Sequence, residues 1–207
     1  MGRLILVRHG ETDWNRNARF QGQTDVPLSP VGREQAEKVG LRLSKERVSA
    51  IYSSDLSRAY ETAQIIANHH QLEIRQDPNL REINFGQWEG MSRQIFDGDH
   101  EDLYQKWLAD PMGTRPPEGE NFIEVQQRAL RSLLAIAEKN QTEDVVVVAH
   151  GGLIKAVICA YIDGDFWEFP QGNTAVNILE FDRAGFRFIA LNDLTHLEDD
   201  DATVNKK

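Results

Sequence analysis

Two histidines stand out by their surroundings. His9 and His150 each close a short apolar run, Leu4-Ile5-Leu6-Val7 and Val145 to Ala149, and each is followed by glycine. An imidazole at a strand end can act as nucleophile, base, metal ligand or satisfied structural group, and the glycine lets the backbone come close to a ligand. Arg8 beside His9, and Arg58 at the start of a helical pattern, supply guanidinium groups whose planar donors match a phosphate. Together they suggest phosphoryl chemistry. A nitrogen attacking phosphorus needs cationic donors on the equatorial oxygens, and an acid for the leaving oxygen. Glu11, Asp13, Glu82, Glu89 and Glu118 are the candidate acids, and spacing does not choose among them. Two histidines with a carboxylate could alternatively hold a metal. There is no HExxH arrangement, however, and the Gly/Arg surroundings suit an anion better, so no metal site is expected.

The elements that must present these residues read as alternating strands and helices. The two His-Gly runs are buried strands, and sites in open α/β sheets form at the carboxyl ends of strands. Ser29-Pro30 opens a helix with Ala36, Val39, Gly40 and Leu43 on one face. Ala50-Ile51-Tyr52 is a short strand, followed by a helix over Ser57 to His69 with Asp55 or Ser57 as cap. Glu73 to Arg75 reads as a strand and Pro78 to Gly90 as a loop. Ser92 to Leu108 is partly helical, and Asp110 to Gly119 is a breaker-rich excursion able to cover a cleft. Helices follow over Phe122 to Glu138 and Leu153 to Tyr161, then a hairpin of Val176 to Phe181 with Phe186 to Leu191. This order predicts an α/β fold: a three-layer α/β/α sandwich, its sheet mainly parallel with helices on both faces. Residues 1–195 are expected to form a single domain, and 196–207 an acidic, flexible tail.

Composition bounds the partners. The 207 residues carry 23 Lys plus Arg against 33 Asp plus Glu, a formal charge of -10, which disfavours nucleic acid. Neither a signal peptide nor an apolar run of membrane-spanning length is visible, so a cytoplasmic protein without membrane contact is expected. The single cysteine, Cys159, excludes an internal disulfide and reads as core packing. His69, His70, His100 and His196 read as surface or locally bonded groups. Phe85 and Trp88 read first as core and second as lining of a substrate mouth, while Trp107, Trp167 and Phe169 could form a substrate wall or a subunit contact.

Leu6-Val7-Arg8-His9-Gly10-Glu11-Thr12 with Trp14-Asn15 resembles the signature of the histidine phosphatase superfamily, in its phosphoglycerate-mutase-like branch. Phe20-Gln21-Gly22, Ser53 to Ala59, Leu80-Arg81-Glu82-Ile83, Phe85-Gly86, Trp88-Glu89-Gly90 and Val148 to Gly152 continue the resemblance in order, over roughly residues 3 to 195. It implies that His9 is the phosphorylated nucleophile. Arg8, Arg58 and His150 would surround the phosphoryl group, Asn15 and Gln21-Gly22 would close over it, and Gly151 would offer a backbone donor. Glu82 would be the acid, then the base that activates water. No cofactor is implied.

The resemblance points to a phosphomonoesterase acting on a small phosphorylated metabolite through phosphohistidine, α-ribazole 5'-phosphate and broad-specificity hydrolysis both being compatible. The alternatives are a cofactor-dependent phosphoglycerate mutase and a non-catalytic phosphate-binding or protein-interaction module. Mutases of the family resemble longer chains, and the 85–90 and 116–120 segments look more like those of phosphatases. Apolar surface elements of such a fold can support a homodimer.

Overall fold

The computed structural model describes residues 2–92, 101–182 and 185–198. Six strands form one mixed sheet: β1 (Arg3–Arg8), β2 (Val48–Ser53), β3 (Ile74–Gln76), β4 (Asp144–Ala149), β5 (Val176–Asp182) and β6 (Gly185–Asp193), in the order β3-β2-β4-β1-β5-β6. The β3-β2, β2-β4 and β4-β1 pairings are parallel, and β1-β5 and β5-β6 are antiparallel. The sheet is therefore mixed, parallel in three of these five pairings, and the hairpin expected from the sequence supplies one of the two antiparallel ones. β5 and β6 are joined by a connection too short for a crossover, and only an antiparallel neighbour can be reached that way.

Among the described residues six α-helices accompany the sheet: α1 (Asp13–Arg16), α2 (Pro30–Leu43), α3 (Ser57–Asn68), α4 (Glu101–Ala109), α5 (Phe122–Lys139) and α6 (Gly151–Ile158). Alternate strand residues enter two separate hydrophobic clusters. Ile5, Val7, Ile51, Val146 and Val148 pack with Val39 and Leu43 of α2 and Ala59, Ala63 and Ile66 of α3. Leu4, Leu6, Tyr52, Val145 and Val147 pack with Val125, Ala129 and Leu133 of α5 and Leu153 and Val157 of α6. Because successive strand side chains alternate in direction, α2 and α3 pack with one set of strand side chains and α5 and α6 with the other.

Helix ends follow local chemistry. The Ser29 side chain accepts from Gly32 N at 3.0 Å with Pro30 in the first turn, as expected, and Asn121 and Glu124 form a capping box on α5. The caps expected for α3 differ. Asp55 instead binds Arg81, and Asp25, distant in sequence, accepts from Ser57 N at 2.8 Å. The 78–90 segment holds two single 3₁₀ turns, with Leu80, Ile83 and Trp88 fully buried and Phe85 at 6% exposure, so its aromatic residues are core. Expectations for residues 93–100, including His100, and for the tail from residue 199 lie outside the described residues.

Candidate active site

Parallel register builds the centre. Arg8 pairs with Ala149 across β1 and β4, so the next residue on each strand is a histidine, and the His9 and His150 ring centroids stand 5.1 Å apart. Both are buried, at 2% and 0% exposure. His9 Nδ1 donates to its neighbour Gly10 O at 2.6 Å, which leaves the lone pair on Nε2. Neither ring nitrogen of His150 has a hydrogen-bond partner among the described residues, an arrangement that buried polar groups rarely adopt without a ligand to meet. Burial, then the charges of Arg58 and Arg8, hold His9 well below the usual imidazole range; burial, Arg58 and His9 do the same for His150. Two neutral imidazoles thus lie between guanidinium groups.

Those guanidiniums are aimed by backbone carbonyls. Arg58 is fully buried and donates to Thr24 O at 3.0 Å and Gly22 O at 2.7 Å, while its Nε has no partner among the described residues. Burial brings its pKa down to about 10, which leaves it cationic at neutral pH. Arg8 donates to Gln171 O. Thr62 joins two elements of the site: its hydroxyl accepts from Gly10 N at 3.1 Å and donates to Arg58 O at 2.7 Å. Asn15 Oδ1 accepts from Asn173 Nδ2 at 3.2 Å, and the same Asn173 nitrogen reaches His9 O at 3.2 Å. Gln21 Oε1 accepts from the Thr12 hydroxyl at 2.9 Å.

Of the five candidate carboxylates, geometry separates one. Glu82 lines a cavity of about 400 Å³ together with Arg8, Gly151 and Gly152, and accepts from Gly152 N at 2.9 Å, and Leu153 N and Ile83 N at 3.0 Å. It therefore sits on the amino end of α6, where helix amides attract negative charge. Glu11 is held by Arg16 and Ser29, Asp13 and Glu118 are exposed, and Glu89 accepts from Gln23 N, Thr24 N and Phe85 N. Glu89 thereby shapes the turn whose carbonyls hold Arg58. Gly22 makes this turn feasible: its φ is +56°, and a Cβ there would lie 2.0 Å from Glu89 Oε1.

Most of the remaining cavity wall is aromatic: Phe20, Phe85, Tyr104, Trp107, Phe122, Phe166 and Trp167 contribute beside Leu108, Pro170 and Gln171, with Lys155 Nζ 5.1 Å from the Phe166 and Trp167 ring centroids. Trp107 and Trp167 are thus wall residues, while Phe169 packs against the core. The 110–119 excursion does not line this cavity. It docks on the 84–87 turn instead, through Gln87 N to Pro117 O at 3.0 Å and the neighbouring Glu120 N to Asn84 O at 2.8 Å. Gln171, Asn173 and Lys155 escaped the sequence reading. The only signal was the polar run Gln171-Gly172-Asn173-Thr174 just before β5, and the placing of Lys155 one helical turn beyond Gly151. His196, read as a surface or locally bonded group, is half-buried and meets the Thr174 hydroxyl at 3.0 Å. Cys159 is half-buried against the core, and burial pushes its thiol pKa up. Among the described residues no cluster of three or more His, Cys, Asp and Glu could hold a metal, and no helix is long and apolar enough to cross a membrane.

Residues 4–194 match the model of the histidine phosphatase superfamily, branch 1. The chain belongs to that superfamily. It is 36% identical to phosphoglycerate mutase-like protein 4 of Arabidopsis thaliana, over 95% of this chain and 87% of that protein. It is 32% identical to phosphoserine phosphatase 1 of Hydrogenobacter thermophilus, over 95% of each. The solved structure of Bacillus stearothermophilus YhfR superposes with a TM-score of 0.90 at 36% identity, covering 96% of this chain and all of that one. The enzyme class implied by the RHG and His-Gly-Gly motifs, a histidine phosphatase, is therefore the class of this chain.

Proposed function

We propose that this protein hydrolyses a small phosphomonoester through phospho-His9. One observation carries the reading: a buried, neutral His9 with Nε2 open lies 5.1 Å from an unpartnered His150, with the Arg8 and Arg58 charges acting on both. In the first step the Nε2 lone pair forms the N–P bond as the bond from phosphorus to the ester oxygen breaks, and protonated Glu82 gives its proton to that oxygen. In the second, water attacks phosphorus, the Glu82 carboxylate takes the water proton, and the N–P bond breaks to release phosphate and His9. Arg8 and Arg58 neutralise charge on the equatorial oxygens in both steps, and the neutral His150 ring donates a hydrogen bond to one of them. The amino end of α6 at Gly151 adds backbone dipoles, and Asn15 and Gln21-Gly22 cover the phosphoryl group.

The aromatic wall beside Glu82 favours an ester whose alcohol carries a sizeable apolar or aromatic body, and α-ribazole 5'-phosphate, with its aromatic base, is such a compound. The same reading takes residues 1–195 as one catalytic domain of three layers, supported by the two hydrophobic clusters. It also takes the protein as a cytoplasmic homodimer that does not bind nucleic acid, in keeping with a charge of -10. The test is kcat/KM for phosphate release from α-ribazole 5'-phosphate, phosphoserine, sugar phosphates and 3-phosphoglycerate, scored also for isomerised products, with His9→Ala as control. We expect release without isomerisation, led by α-ribazole 5'-phosphate and abolished in His9→Ala. Isomerisation without comparable release would make the protein a mutase, and undiminished turnover in His9→Ala would remove the nucleophile.

A further inference from the structure

Glu82 reaches the cavity from an irregular segment, where no strand or helix fixes its backbone. Something else must hold it, because a displacement of about 1 Å at a catalytic group can cost on the order of a hundredfold in rate. The holding group is Arg128 of α5, whose side chain is only 12% exposed. Its Nη1 donates to Asn79 O at 2.8 Å and Arg81 O at 2.6 Å, and its Nη2 to Glu82 O at 2.8 Å. Nε and Nη2 also meet the two carboxylate oxygens of Glu120, each at 3.0 Å.

The grip extends to both sides of Glu82. Glu120 Oε2 accepts from Asn84 N at 2.9 Å, and Gln23 Nε2 bridges Glu82 O at 3.2 Å and Glu120 Oε2 at 3.5 Å. Gln23 belongs to the turn that holds Arg58. One guanidinium therefore ties the segment bearing Glu82 to a rigid helix and, through Gln23, to the phosphate-side turn. Three backbone carbonyls and a carboxylate occupy its planar fork, a pattern that the three donors of a lysine ammonium cannot reproduce.

We infer that Arg128, seated by Glu120, is a positioning residue for Glu82 as proton donor to the leaving group. This rests on the phosphatase reading above. Arg128 touches no reacting atom; it holds the backbone from which the Glu82 carboxyl, itself seated on the Gly152 and Leu153 amides, reaches towards the ester oxygen. The consequence is selective. Proton donation matters for alcohols that leave poorly and hardly at all for phenolates that leave without help, so loss of Arg128 should be felt on the first and not the second.

The test compares 2-phenylethyl phosphate, a poor leaving group, with 4-nitrophenyl phosphate, an activated one, in Arg128→Lys, Arg128→Met, Glu120→Gln, Glu82→Gln and the Arg128→Lys/Glu82→Gln pair. For Arg128→Lys we expect kcat/KM to fall roughly thirtyfold on phenylethyl phosphate, a part of the roughly 10²–10⁴-fold worth of a general acid. The fall on nitrophenyl phosphate should be no more than about threefold, and Glu120→Gln should follow more weakly. In the Glu82→Gln background Arg128→Lys should add almost nothing, since both changes remove the same proton transfer. A merely structural role predicts equal losses on the two substrates, tracking the folded fraction, and that result overturns the inference. So does full additivity in the double variant. If Glu82→Gln itself shows no dependence on leaving group, the acid assignment fails, and this inference fails with it. If Glu82→Gln shows that dependence and Arg128→Lys does not, only the inference fails. Should Arg128→Met not fold, Arg128→Lys and Glu120→Gln decide the matter.

Discussion

His9 and His150 pass from water into a site that holds two guanidiniums, and both burial and those charges oppose a proton on either ring. An imidazole depressed in the folded state binds fewer protons than its unfolded counterpart, so its contribution to stability is complete above about pH 6.5 and declines as pH falls below it. We expect the ligand-free protein to lose stability on acidification from pH 7 to pH 5, by at most about 1.4 kcal/mol per pH unit for each such histidine. His196, lowered to about 4 chiefly by burial and then by Arg42, contributes with the same sign. Urea unfolding at several pH values, repeated with His9→Gln, checks this: the variant should show a shallower slope, and an unchanged slope would mean that His9 is not held neutral. At this scale the sequence was partly legible. A histidine after an apolar strand and before glycine announces itself, as does an adjacent arginine. The carboxylate did not, because Glu11, Asp13, Glu82, Glu89 and Glu118 are alike until tertiary contacts assign three of them to ion pairs, turn amides and the α6 amides and leave two in solvent. Resemblance to the family selected Glu82, and the cavity wall contains it.

Helices and strands were legible where their periodicity was strong, and misread where glycine has a second use. The α6 pattern reads from its apolar residues as beginning at Leu153, yet the helix begins at Gly151. The first turn of a helix leaves its amides without internal partners, so glycine costs little there. A Cβ at Gly152 would come within 2.6 Å of Glu82 Oε1 and 2.8 Å of Phe122, so close approach to the acid demands that residue. The order of strands was less legible, because pairing partners are set by crossovers that no local pattern records; the β5-β6 hairpin could be read locally, but its antiparallel docking on β1 could not. Elements also separate stability from activity. Leu133 of α5 is fully buried against the sheet and far from the chemistry in role, so Leu133→Ala should destabilise the protein by about 2–5 kcal/mol. kcat/KM measured where both proteins are folded should change little. A large loss of kcat/KM in a fully folded Leu133→Ala protein would show that α5 packing, and not only Arg128, sets the position of Glu82.

Over the whole molecule, an overall negative charge of -10 coexists with a small site in which arginines and helix amides converge. The net field discourages polyanions, and the local one suits a single phosphate. Beside it stands an aromatic wall built from α4, α5, the 166–171 segment and the 20–22 and 85–88 turns, which the chain brings together from five distant stretches and which no single stretch reveals. The central claim is that phosphate passes through His9 Nε2. It is tested most directly by acid-free rapid quenching of the enzyme during turnover of 4-nitrophenyl phosphate, with mass spectrometric mapping of the bound phosphoryl group. The account predicts a phosphoryl group on His9 that is lost in acid, forms at least as fast as turnover, and is absent from His9→Ala. Turnover with no phosphoenzyme in Glu82→Gln, where the second step is slowed, or a phosphoryl group mapped to another residue, would contradict it.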